Sequence, residues 1–501
     1  MYAVRKFFTR HWFLICLLCI TILASFLRIY NYQNRWGLAY DQAHDALVAR
    51  YAIEARKIPL VGPFSSAGAF QTGGEWYWIV MLGTFLFPSA VITPWVFLTV
   101  LYVLFVILIV FVGAEFYGKK FGLLVGLLAA VSTAQIAQST NLTNQSPLAL
   151  ISLFAIWSMV KFVKTREARY LFLLGFNVSF APTVHMQGIL LVSLLVITIL
   201  FSGIPTFRGF FLLFLGVSIP LVPLLFFDLK SDFINIRNMW SYYFHDQFKI
   251  SYEMLGRRWL TYAGVFLPTA WGHIIGGNSI AGYLLVGLLW FFTVHDFLKK
   301  RIKKDWTIII ASAICMIVIM RYTRTPLFDS YLVVLHPFML LLSGWAVYKL
   351  IRKKMILGLF FLLLIAGGSI KKDIAEILHA ENYSAISTTS SLDRLLKKYP
   401  QQKFAVYSYQ YNWADKNLTL SLFLDAKNLI DDHGRRIGFV VASQSGEFAY
   451  PIIMGEKKGY QLLDLQSSSS AQLAKAQWVL VNARQVYEAT QEWYTIINKT
   501  K

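Results

Sequence analysis

The chain has 501 residues, 57% of them hydrophobic, 16% aromatic and only 15% charged, with a mean hydropathy of +0.54. That composition excludes an ordinary soluble enzyme and marks a polytopic α-helical membrane protein. The net charge of +21 does not indicate nucleic acid, because the basic residues fall in short clusters between apolar runs, where cytoplasmic loops carry them.

About eleven apolar runs are long enough to cross a hydrocarbon core as helices. The first, 12–29, follows Arg5, Lys6 and Arg10 and has no small-residue cleavage site, so it reads as an anchor with its N-terminus cytoplasmic. Cys16 and Cys19 lie within it and Cys315 within a later run, which favours packing over redox or metal chemistry. Spans at 94–113, 121–138 and 147–162 come next. The stretch 170–201 divides into two short helices hinged near Pro182 and His185, and 209–227 ends at Asp228. The last spans are 280–298, 306–320, 327–348 and 355–368. With this division Lys119-Lys120, the cluster from Lys161 to Arg169, Arg208, KKRIKK at 299–304 and KLIRKK at 349–354 all fall inside. Counting 74–92 or 259–275 as full spans would put them outside, so both read as juxtamembrane or re-entrant helices. Lys371-Lys372, placed outside after the last span, is one exception to the charge rule.

The division gives a transmembrane domain over 1–370, with external segments at 31–93 and 228–278, and a soluble extracytoplasmic domain over 371–501. Its β-type runs at 403–410, 436–443 and 478–483, separated by stretches such as SLDRLLKKY, fit a small α/β fold. It has no phosphate loop, metal spacing or nucleophile elbow. The whole reads as a multi-pass plasma-membrane protein.

The polar residues needing explanation lie outside. In YDQAHDALVARYAIEARK (40–57), Asp41, His44 and Asp45 share one helical edge, and Ala43, Ala46, Leu47, Ala49 and Tyr51 supply apolar contacts. Such a helix is expected to lie on the bilayer with its acidic edge toward a cavity. Three readings of that edge stand: a solvated face, a divalent-metal site through Asp41, His44 or Asp45, or a general base at Asp41. A base beside the bilayer makes chemical sense when one substrate is a lipid. Glu75, His185, Asp228 and Arg321-Tyr322-Thr323-Arg324 complete the set. For His245, Asp246, Arg257 and Arg258 solvation is the simpler reading. Trp76, Tyr77 and Trp78 suit either sugar stacking or interfacial anchoring.

The order of these parts resembles the GT-C class of membrane glycosyltransferases, especially bacterial family 39, which is similar to protein O-mannosyltransferases and the lipid A aminoarabinose transferase. The resemblance rests on YDQAHDA and KIPLVGPFSSAGAFQTGGEWYW in the first loop, then YGKKFG, LLVGLLAAVSTAQIAQSTN, LLGFNVSFAPTVHMQG, LVPLLFFDLKSDF and RYTRTPLFDSYLVVLHP. It implies transfer of a sugar from a polyprenyl-phosphate donor to a lipid, glycan or protein acceptor on the non-cytoplasmic side, usually with inversion. Asp41 matches the catalytic base, and Arg321 and Arg324 the cations near the carrier phosphate. Tyr322, His185, Asp228 and Glu75 are further substrate-binding candidates. Gln42 stands where a second acid is usual, and Glu75 replaces a proline in GGEWYW, so a metal cofactor is left open. The competing classes are an oligosaccharide ligase or polymerase, and a lipid-linked sugar transporter. Against the first, segment 228–258 is mixed in charge; against the second, the chain shows no internal repeat and charges avoid span centres.

Overall fold

In lipid an apolar segment satisfies its backbone only as a helix or a closed barrel, and this chain is built of helices. The computed structural model describes residues 2–65, 68–203, 205–245, 259–321, 329–400, 402–409, 415–431, 438–442, 452–455, 461–464 and 478–493. Among them seven helices are long and apolar enough to cross a membrane: Arg10–Ile29, Thr93–Tyr117, Leu148–Thr165, Phe207–Lys230, Ser279–Leu298, Tyr331–Lys353 and Met355–Lys397. An eighth is the pair Lys119–Ala130 and Thr133–Ser139, if counted as one span bent by 60°. The remaining expected spans are also helical, at Ala168–Val184, Val192–Ser202 and Lys304–Arg321, but they are shorter or carry charged ends.

The chain begins with α1 (Tyr2–Ile29), then α2 (Tyr40–Glu54), a hairpin of β1 (Val61–Phe64) and β2 (Gln71–Gly73), and α3 (Glu75–Leu86). At 12 residues α3 spans only about 18 Å, too short to cross. It crosses α4 (Thr93–Tyr117) closely enough that a Cβ on Gly83 would sit 2.7 Å from Pro94 Cα.

The bend between α5 (Lys119–Ala130) and α6 (Thr133–Ser139) falls where one straight span was expected. Ser132 caps α6 and also donates to Ile274 O at 2.6 Å, and the freed carbonyls are taken by Arg28 of α1. Its guanidinium, fully buried, reaches Ala130 O at 3.0 Å, Ala129 O at 3.1 Å and Ala24 O at 3.1 Å. A charge in the anchor thus replaces the backbone bonds that the break removes.

Helices α7 (Leu148–Thr165), α8 (Ala168–Val184), α9 (Val192–Ser202) and α10 (Phe207–Lys230) follow, then α11 (Ile234–Phe244). Beyond residue 258 come α12 (Leu267–Gly276), α13 (Ser279–Leu298), α14 (Lys304–Arg321), α15 (His336–Lys353) and α16 (Met355–Leu378). Helix α16 runs ten residues past the expected end of the last span. Lys371 and Lys372 therefore lie on the helix rather than after it, because KKDIAEIL continues the helical pattern and its Asp373 and Ile377 face inward. Asn31 fixes the extension by donating to Ile377 O at 2.8 Å.

The C-terminal part contains α17 (Tyr383–Lys398), α18 (Asp415–Ala426), α19 (Ala483–Gln491) and a five-stranded sheet of order β5-β6-β4-β3-β7. Strands β3 (Ala405–Tyr409) and β4 (Gly438–Ala442) pair in parallel; β5 (Ile452–Gly455), β6 (Gln461–Asp464) and β7 (Trp478–Leu480) pair antiparallel to their neighbours. Helices α18 and α19 pack against α2.

Candidate active site

The apolar face of the acidic helix α2 is covered by protein. Ala43, Ala46, Leu47 and Ala49 are each at most 2% exposed, because α3 covers one side and α18 and α19 cover another. The apolar positions that suggested a lipid-facing side face protein instead.

Its start is fixed by the residue found where a second acid was expected. Gln42 Oε1 accepts from Ala39 N at 3.1 Å, satisfying an amide before the first turn, and Gln42 Nε2 donates to Asn141 Oδ1 at 3.0 Å. Gly37 N donates to Thr140 O at 2.9 Å, and Trp95 Nε1 to Gly37 O at 2.6 Å. The loop after α1 is thereby held to the start of α4 and to the segment after α6.

The two acids of α2 part ways. Asp41 is exposed in the first helical turn, where the amide dipoles favour a negative charge. Asp45, one turn on, is buried, accepting from Trp76 Nε1 at 2.5 Å and bonded to His44 Nδ1 at 3.0 Å. The far ring nitrogen of His44 meets Thr490 Oγ1 at 3.1 Å. The spacing placed both acids on one edge, but the indole of Trp76 covers only the second. Trp76 is therefore an internal donor to Asp45 and is not free to stack on a sugar. Beside it, the buried Tyr77 phenol is pushed well above its ordinary pKa by burial, then by the charges of Asp45 and Asp41, and stays protonated.

Glu75, in the first turn of α3, is 1% exposed, and neither carboxylate oxygen has a hydrogen-bond partner among the described residues. It folds back over Gly73, where a Cβ would lie 2.1 Å from Glu75 Oε2 and 2.8 Å from Thr183 Cβ, so glycine makes room for it. Burial raises its pKa to about 7. The folded chain then binds more protons than the unfolded chain between the ordinary carboxylate range and pH 7, so Glu75 makes stability fall as pH rises through that window. The full loss is on the order of 3 kcal/mol. A melting-temperature series from pH 5 to 8 in detergent should decline for the native protein and flatten for Glu75→Gln; parallel curves would show that Glu75 is already ionised at pH 5.

Two further sequence candidates adjoin this hairpin. Asp228, fully buried at the end of α10, accepts from Asn235 N at 3.0 Å and Ile236 N at 3.3 Å, capping α11. Asn235 in turn grips the backbone of Gln71 on both sides, accepting from its N at 2.7 Å and donating to its O at 3.1 Å. His185 ends α8 two residues after Thr183. Its Nδ1 accepts from Gln187 N at 3.3 Å, its ring lies 6.4 Å from that of Tyr331, and burial lowers its pKa to about 4.

Arg321 ends α14, which packs on the 3-10 turn Met186–Leu191 just after His185. It is 5% exposed, lies over the Tyr262 ring at 5.9 Å, and leaves Nε and Nη2 without a hydrogen-bond partner among the described residues. Tyr262 is oriented by donating to Ile317 O at 3.0 Å. Tyr322, Arg324, Asp246, Arg257 and Arg258 lie outside the described residues. Asp228, Glu75 and the end of α8 before His185 thus adjoin the β1-β2 hairpin, Asp41 and Asp45 stand on the first turns of α2 against α3, and the helix of Arg321 packs on the turn after His185.

Two of the three candidate metal ligands of α2, His44 and Asp45, already have partners within the protein. Both oxygens of Asp45 are engaged by Trp76 and His44, His44 is bonded through both nitrogens, and Gln42 supplies a tied amide. Among the described residues no group of three or more His, Cys, Asp or Glu side chains is placed to hold one.

Sequence reasoning missed Gln71, Asn235, Thr490 and Gln491, which tie the β1-β2 hairpin, the α10-α11 corner and α19 together, and the buried pair Gln135 Nε2 and His336 Nδ1 at 2.5 Å. The last two stand inside the quoted motifs AQIAQSTN and VVLHP, which was the signal available.

Residues 76–226 match the family described as dolichyl-phosphate-mannose-protein mannosyltransferase. No curated protein matches the chain in sequence. Its fold is similar to that of ArnT from Cupriavidus metallidurans in the apo state, with a TM-score of 0.61 at 11% identity over 91% of this chain and 98% of that one. The same enzyme bound to undecaprenyl phosphate gives 0.61 at 11% identity over 92% and 99%. The Archaeoglobus fulgidus oligosaccharyltransferase tethered to an acceptor peptide gives 0.54 at 11% identity over 83% of this chain, which spans 64% of that enzyme's length. The resemblance to the GT-C glycosyltransferases drawn from the motifs thus holds in the family match and in the fold.

Proposed function

We propose that the chain is an integral-membrane glycosyltransferase that moves a sugar from a polyprenyl-phosphate donor to an acceptor hydroxyl on the non-cytoplasmic face. The observation that carries the reading is Arg321. A guanidinium buried with two nitrogens unmatched among the described residues is costly unless an anion completes it, and its planar fork suits phosphate oxygens. The fold is shared with a protein solved with undecaprenyl phosphate, which makes a lipid phosphate the natural anion.

In this reading Asp41 takes the proton from the acceptor hydroxyl as that oxygen attacks the anomeric carbon. The bond from that carbon to the phosphate oxygen breaks, and the carrier phosphate leaves as an anion held by Arg321. Attack opposite the leaving group inverts the anomeric configuration. A phosphate needs no proton to leave, so a single carboxylate and a single cation suffice. The exposure of Asp41 in the first turn of α2, against the burial of Asp45, supports Asp41 as the base. Eleven spans with the N-terminus cytoplasmic and residues 371–501 extracytoplasmic would put these groups together on the outer face.

Proteoliposomes offered a polyprenyl-phosphate monosaccharide and, separately, a pyrophosphate-linked oligosaccharide decide between this reading and an oligosaccharide ligase. Transfer from the first alone is the expected result, whereas transfer from the second alone, or carrier movement with no new glycosidic bond, overturns it.

A further inference from the structure

Three separate parts of the chain meet at Gln71, which is fully buried in β2. Its side-chain nitrogen donates to Gly62 O at 2.9 Å and to Thr490 O at 2.9 Å, and its oxygen accepts from Trp493 Nε1 at 2.7 Å. Its backbone is held by Asn235 from the α10-α11 corner, as described above. Gln491, also buried, closes the other strand: its Oε1 accepts from Leu60 N at 2.9 Å and Val61 N at 3.2 Å, and its Nε2 donates to Val61 O at 2.6 Å.

The same helix turn touches the acidic helix. Thr490 Oγ1 bonds His44, His44 bonds Asp45, and Asp45 lies one turn from Asp41. Tyr51 packs on Tyr487 with ring centroids 5.1 Å apart, and Arg50 pairs with Asp425 of α18. Helix α2 is short, and its N-terminal turn carries a group whose position must hold to a fraction of an ångström for proton transfer.

We propose that the C-terminal helix α19 is the positioning element of the candidate site: Thr490 and Gln491, acting through His44 and the Gln71 hairpin, set where Asp41 stands. None of these residues reaches the reacting atoms; they act through α2. The proposal assigns a task to a C-terminal part in which no catalytic motif is found, and it rests on the reading of Asp41 as the base.

Two near-isosteric substitutions test it in the full-length protein, Gln491→Leu and Thr490→Val. Hydrogen exchange is followed at the amides of 40–54, 61–73 and 93–117, and sugar transfer is measured alongside. The expected result is exchange about tenfold faster at 40–54 and 61–73 with 93–117 unchanged, because buried donors and acceptors lose their partners only there. The turnover number should fall about tenfold with the KM for donor unchanged, and His44→Ala combined with Thr490→Val should be no worse than the single changes. Unchanged exchange in both variants, acceleration extending to 93–117, or fully additive losses overturns the proposal. If the native protein transfers no sugar from any lipid phosphate, the proposed function fails, while the exchange comparison still decides whether α19 holds α2.

Discussion

Replacing Asp41 by Asn should lower the turnover number for sugar transfer by about 10²–10⁴-fold, the range general base catalysis supplies. The KM for the lipid donor should not move, since an amide of the same shape keeps the surroundings of the residue intact. Because Asp41 is exposed, the cost to stability should stay within about 1 kcal/mol, from the lost charge at the helix N-terminus. Asp45→Asn should show the reverse emphasis. That residue is buried and bonded to Trp76 and His44, so its loss should lower the melting temperature before it changes the chemistry. Steady-state kinetics and thermal unfolding of the two variants, measured side by side, check the pair. An Asp41→Asn enzyme of native rate removes the base.

Arg321 should behave in a way few structural residues do. Arg321→Met is expected to cut transfer by about 10²–10³-fold, comparable to the loss of a preorganised donor at a developing anion. It should leave the melting temperature unchanged or raise it, because a buried charge whose nitrogens find no partner among the described residues is a burden to the fold that a bound anion offsets. Arg321→Lys should recover part of the rate, since an ammonium supplies charge without the bidentate fork. Addition of polyprenyl phosphate should raise the melting temperature of the native protein and leave that of Arg321→Met unmoved. A large loss of stability in Arg321→Met with no lipid effect in either protein would assign Arg321 to packing alone.

Much of this architecture is legible in residue order because the membrane restricts the choices. The run 94–113 has few conformations open to it in lipid, and the strand-like runs at 403–410, 436–443 and 478–483 contain β3, β4 and β7. What the local pattern misses is the consequence of contact between distant segments. The bend after Ala130 has no proline or glycine to announce it, since its carbonyls are satisfied by Arg28 from another helix. Strands β5 and β6 are four residues each, too short for periodicity to stand out. At the candidate site, Asp41 and Arg321 are singled out by the motif resemblance. The difference between Asp41 and Asp45 is not legible in the sequence, because it depends on which side Trp76 approaches. Glutamines such as Gln71 and Gln491 carry no chemical signature; their role comes entirely from the backbone groups they meet.

The bond between Gln491 and Val61 joins residues 430 positions apart. Ribosomes deliver the β1-β2 hairpin long before α19, so the hairpin waits for the side chains that complete it. A chain halted between residues 321 and 483 would carry Asp41, Glu75 and Arg321 without the helix that we propose positions Asp41. Synthesis of α19 thereby becomes a condition for α2 and the β1-β2 hairpin to reach their finished form, and fragments released before it would be silent rather than errant.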